Sequence, residues 1–85
     1  MEYIIRFLDK GGNKYGWSTF YVIESETFFD KLEETLYVVQ ELTPVHQNWK
    51  RDLRENGRCL FTYHNVEYAV VEWNQDERSI TVQDI

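Results

Sequence analysis

Proline, cysteine and methionine occur once each in these 85 residues, and glycine four times. The lone cysteine, Cys59, excludes an internal disulfide framework, by which many small secreted domains hold together. No apolar run approaches the roughly 18 residues that cross a bilayer as a helix. The opening stretch, Met1-Glu2-Tyr3-Ile4-Ile5-Arg6, lacks the basic start and long apolar core of a secretory signal. These absences set the expectation of a soluble cytoplasmic protein with no membrane contact. Positive charge is scarce too: nine Lys and Arg against fifteen Asp and Glu leave a net of −6. Such a field repels phosphate backbones and anionic membranes and favours basic partners.

The groups that carry chemistry are equally sparse. Cys59, His46 and His64 are the only thiol and imidazole side chains, with no CxxC or HxxxH spacing to hold a metal. His64 stands five residues from Cys59, an odd offset that on a strand points the two to opposite faces. The same parity separates Glu67 from Glu72. The glycines of Asp9-Lys10-Gly11-Gly12-Asn13-Lys14-Tyr15-Gly16 form neither a GxxxxGK[ST] nor a GxGxxG pattern, and no helix follows them directly. We therefore expect no metal, no cofactor and no catalytic activity.

What is present is a pattern of burial. Hydrophobic residues make up 42% of the chain and aromatics 16%, and each buried ring removes about 150–250 Å² from water. Alternation marks strands at Tyr3–Leu8 and Trp17–Ile23, joined by the glycine-containing loop. The stretch Arg58–Trp73 reads as a hairpin: strands Cys59–Tyr63 and Val66–Trp73 fold back at His64-Asn65, where Asn tolerates the left-handed backbone of a tight turn. Ser79–Gln83 alternates as a half-exposed final strand.

Between the two hairpins the period changes. Thr27 with Asp30 three residues later suits a helix start. Phe28, Phe29, Leu32, Leu36, Val39 and Leu42 then recur at helical spacing. Thr43-Pro44 suits the start of a second helix over Pro44–Asn56, with Val45, Trp49 and Leu53 on one stripe and Asn56-Gly57 as its stop. The reading is one α+β domain over residues 1–85, in the order ββααβββ, with a mostly antiparallel sheet and two helices packed on one face.

Function is argued from charge. Glu24–Glu41 carries six acids and one lysine. On the first helix Glu26, Asp30, Glu33, Glu34 and Glu41 fall away from the apolar stripe, with no base four residues away to pair with them. With Asp76 and Glu77 they are the candidate partner-binding residues of an acidic, non-enzymatic interaction domain, an inhibitor or regulatory adaptor docking on a basic protein surface. One alternative is a single-strand nucleic-acid module using Lys50, Arg51, Arg54 and Arg58 with Phe61, Tyr63, Tyr68 and Trp73 as stacking rings. Another is a homodimer through surplus aromatics and the last strand.

Overall fold

Apolar alternation over Tyr3, Ile5 and Phe7 builds the first strand, which lies between an edge strand and the last strand of the sheet. In the structure, a computed structural model, residues 1–22 and 27–85 are described. Their order is β1 (Glu2–Leu8), β2 (Lys14–Tyr21), α1 (Phe28–Gln40), β3 (Leu42–Pro44), α2 (Trp49–Asn56), β4 (Arg58–Tyr63), β5 (Val66–Asn74) and β6 (Ser79–Asp84). Ile23, the expected end of the second strand, and the candidate Glu26 lie outside the described residues. The six strands form one sheet in the order β2-β1-β6-β5-β4-β3. All neighbours are antiparallel except β1 and β6, which run parallel with Ile5 opposite Ile80 and Phe7 opposite Val82.

The α+β class and the mostly antiparallel sheet agree with the sequence reading. One face buries Tyr3, Ile5, Phe7, Phe20, Phe61, Ala69, Val71, Ile80 and Val82, and α1 and α2 pack on it through Phe28, Phe29, Leu32, Leu36, Trp49 and Leu53. Phe28 stacks on Trp73 at 4.5 Å, and Trp49 meets Phe29 and Phe61 edge-on at 5.9 and 5.4 Å. Among the described residues no helix lies on the other sheet face. Ile4, Leu8, Leu60 and Val70 lie half-buried there beside Arg6, Thr81 and Gln83.

Two boundaries differ from expectation. Glu41 turns into the left-handed region at φ 55° and ends α1, its N–H reaching the carbonyls of Leu36 and Tyr37. Leu42 is therefore fully buried through a strand rather than a helix. This adds β3, so the order is ββαβαβββ. Pro44 belongs to β3 opposite Phe61, and α2 begins five residues later at Trp49. An edge strand tolerates proline because the missing N–H has no ladder partner to lose. Val39, placed on the buried stripe by its spacing, is exposed.

The turns hold where the sequence put them. His64 and Asn65 both take positive φ, 49° and 70°, the backbone of a two-residue hairpin turn. Arg78 also sits at positive φ, 53°, in the β5–β6 turn, where its carbonyl accepts from Ile4 N–H at 3.1 Å. Any residue with a Cβ is strained there, so Arg78→Gly is expected to raise the unfolding free energy by about 0.5–1 kcal/mol in chemical denaturation.

Candidate functional site

Each acidic candidate on the described part of α1 has a different neighbour. Asp30 accepts from Lys50 of α2 at 3.1 Å. Glu34 lies 3.7 Å from Lys31 one turn earlier, and Glu41 meets His64 of the β4–β5 turn at 2.9 Å. Glu33 lines a hollow with Val45, His46 and Lys50, towards α2. Asp76 and Glu77 occupy the β5–β6 turn, at the end of the sheet where α1 starts. The unpaired acidic stripe expected from the sequence is thus broken up: three of its described members have a Lys or His neighbour, supplied by the fold or by an i,i+3 pair. Glu33, Asp76 and Glu77 have no ion-pair partner among the described residues.

The basic alternative loses two of its four stacking rings. Phe61 is fully buried, and Trp73 is packed against Phe28 and Phe29. Arg54 lies over the Phe29 ring at 4.9 Å, and Lys50 is engaged by Asp30. Phe61 and Trp73 therefore cannot present a face to a base, whereas Tyr63 is exposed and Tyr68 half-buried.

Carboxylates and the thiol do not converge either. A register shift between Phe61 and Thr62 leaves Tyr68 as an extra residue on β5, so that Glu67 faces Thr62 while Glu72 faces Arg58. The bulge brings Glu67 and Glu72 to the same open side, correcting the strict alternation. Five residues of strand still separate them by about 16 Å. Burial, with the charge of Asp52 added, pushes the Cys59 thiol up from 9.0 to about 12. A thiol held protonated in this way is a poor nucleophile. No group of His, Cys, Asp and Glu that could hold a metal is found among the described residues.

At the far end of the helix-bearing face Tyr15 donates to Asp84 Oδ1 at 3.1 Å, and Tyr68 lies 3.5 Å from Oδ2. Partial burial and the neighbouring Asp84 push the Tyr15 phenol up from 10.0 to about 12. Both Tyr15 and Cys59 are acids whose neutral form the fold prefers. Their stabilisation is full below the ordinary values and is lost as pH rises through about 12. Urea midpoints are accordingly expected to fall between pH 9 and 12, and Tyr15→Phe together with Cys59→Ala should flatten part of that fall.

The remaining feature is a groove of about 450 Å³ between the sheet edge and α1. Its walls are Ser18–Tyr21 of β2 and Lys31, Glu34, Thr35, Val38 and Val39 of α1. The helix residues are spaced i, i+3, i+4, i+7, one stripe beside the buried one. Thr35 keeps helical backbone by donating its Oγ1 to the Lys31 carbonyl at 2.8 Å. The rim is open at Val38 (73% exposed), Val39 (43%) and Tyr21 (66%), and the exposed Trp17 (64%) lies on the other face of β2. Sequence periodicity pointed away from this surface, because it assigned Val39 to the core and gave no reason to single out Val38. Known proteins offer no parallel for the groove: the chain matches no family model, no curated protein and no solved structure.

Proposed function

We propose that the chain is a non-catalytic protein-interaction domain that engages its partner through the rim formed by β2 and α1. The observation that carries this reading is the exposed apolar group Tyr21, Val38 and Val39 around one groove. Valine is a poor helix former, and at an exposed position its burial does not compensate. Val38 and Val39 therefore weaken α1 slightly without strengthening the core, as expected of residues kept for contact with another molecule. Contiguous exposed apolar surface is the usual mark of an interaction site. The charge supports a second reading, an inhibitor or regulatory adaptor docking on a basic surface, because Glu33, Asp76 and Glu77 have no ion-pair partner among the described residues.

Affinity capture from source-cell lysate, at low and moderate salt, separates the two readings. The native chain is compared with Val38→Arg and with Glu33→Gln/Glu34→Gln. A protein retained by the native chain and weakened at least about tenfold by Val38→Arg, with little salt dependence, fits the apolar rim. Loss in the Gln variant and on adding salt fits acidic docking instead. Retention by both variants sinks both readings.

A further inference from the structure

β2 is the exposed edge of the sheet, and its backbone pairing identifies which of its groups are free. Met1 and Val22 exchange hydrogen bonds in both directions, 2.9 and 3.0 Å. In an antiparallel ladder such pairs alternate with pairs that do not bond. The register of β1 and β2, Tyr3 opposite Phe20 and Ile5 opposite Ser18, makes those the bonded pairs. The N–H and C=O groups of Trp17, Thr19 and Tyr21 therefore point away from β1, towards no strand among the described residues. The opposite edge is protected: β3 has three residues and ends in Pro44. β2 has eight residues, no proline, and lysine only at its first position. Natural sheets seldom leave such an edge unpaired.

Resting on the interaction role proposed above, we infer that the occupant of this edge is a second copy of the chain, the two β2 strands pairing antiparallel about a two-fold axis at Thr19. The strand is self-complementary in that register. Trp17 falls opposite the partner's Tyr21 on the open face, and Thr19 opposite its own counterpart. Aromatic and threonine pairs are both favourable across strands. On the helix side the small Ser18 falls opposite the bulky Phe20, and Gly16 opposite Val22. The bonding groups of Trp17, Thr19 and Tyr21 meet the same groups of the second copy, so two six-stranded sheets become one. The two α1 helices then approach across the joined strands and cover Val38 and Val39.

The self-complementary register favours this occupant over a basic peptide. The chain carries −6, yet among the described residues around this edge Lys14 and Lys31 balance Glu2 and Glu34. Glu2 is further engaged by the Tyr21 hydroxyl, which donates to it at 2.8 Å. Asp30, Glu33, Glu41, Asp76 and Glu77 all lie on other sides. Among the described residues the charge at the groove is balanced, so they give a second copy little to repel it. The interior position of β6, between β1 and β5, rules out the last strand as the dimer edge and leaves β2.

The test is the mass of the purified chain in solution by sedimentation equilibrium, from low micromolar to sub-millimolar concentration. The native chain is expected as a concentration-dependent dimer with weak dependence on salt. Thr19→Pro should be monomeric yet folded, since the lost N–H is not bonded within the chain. Circular dichroism and thermal melting check the fold. Trp17→Glu with Tyr21→Glu should also be monomeric, whereas Trp17→Lys with Tyr21→Glu sets opposite charges across the axis and should recover the dimer. Oxidation should cross-link Thr19→Cys, because bonded cross-strand Cα atoms lie about 5.5 Å apart, within disulfide reach. Thr43→Cys, on the other edge, should not cross-link. A native monomer throughout overturns the inference and leaves the interaction role to the Val38→Arg capture. A dimer that survives every β2 substitution overturns it as well.

Discussion

Phe28→Ala is expected to destabilise the fold by about 3–5 kcal/mol, read as a lower urea midpoint at unchanged slope. The ring sits where the first turn of α1 meets three strands. It lies 4.7 Å from Tyr3 of β1, 5.8 Å from Phe20 of β2 and 4.5 Å from Trp73 of β5, with Phe29 at 5.1 Å. Large rings on separate strands cannot all shift to fill the space, so truncation leaves a cavity and removes several edge and stacking contacts at once. Small domains are stable by only about 5–15 kcal/mol, so this one substitution removes a large share of the total. Tyr37→Ala is the control on the same helix. Its ring is exposed, and the change is expected to stay within about 0.5 kcal/mol.

Trp49→Ala is expected to cost a similar amount, about 3–5 kcal/mol, but with a different signature. α2 has only eight residues, too few to hold helical backbone alone. It is anchored to the core by two buried side chains, Trp49 and Leu53. Trp49 bridges Phe29 of α1 and Phe61 of β4. Removing it should open α2 before the sheet. Hydrogen exchange would show this as loss of protection at Leu53 and Gly57 while Ile5 and Val71 stay protected. Equal loss at all four amides would mean that α2 and the sheet unfold as one unit.

The contrast between these residues also shows what was legible beforehand. Phe28, Leu32, Leu36, Trp49 and Leu53 were placed on buried stripes by spacing alone, and all five are buried. Val39 and Leu42 belonged to the same stripe by spacing, yet one is exposed and the other is buried in a strand. The left-handed turn at Glu41 ends the helix before Leu42 and sends it into β3, whereas Val39, still inside α1, borders the open groove. A stripe records which side of an element is apolar, and it does not record where the element stops. The acidic candidates failed to form an unpaired stripe for a related reason. The partners of Asp30 and Glu41, Lys50 and His64, come from distant segments and cannot be found by looking four residues along the helix.

The sequence by itself determined the local elements: two hairpins, a helix between them, the His64-Asn65 turn and a core rich in aromatics. Each rests on period or turn chemistry within a few residues. The tertiary structure alone decided that β6 joins β1 in parallel, that α1 crosses the sheet to deliver β3 to the far edge, and that β2 is left as the open side. Strand order depends on which apolar faces can be covered together, a property of the whole core. The surface that would meet a partner is therefore set by the tertiary arrangement, which brings Tyr21, Val38 and Val39 to one groove.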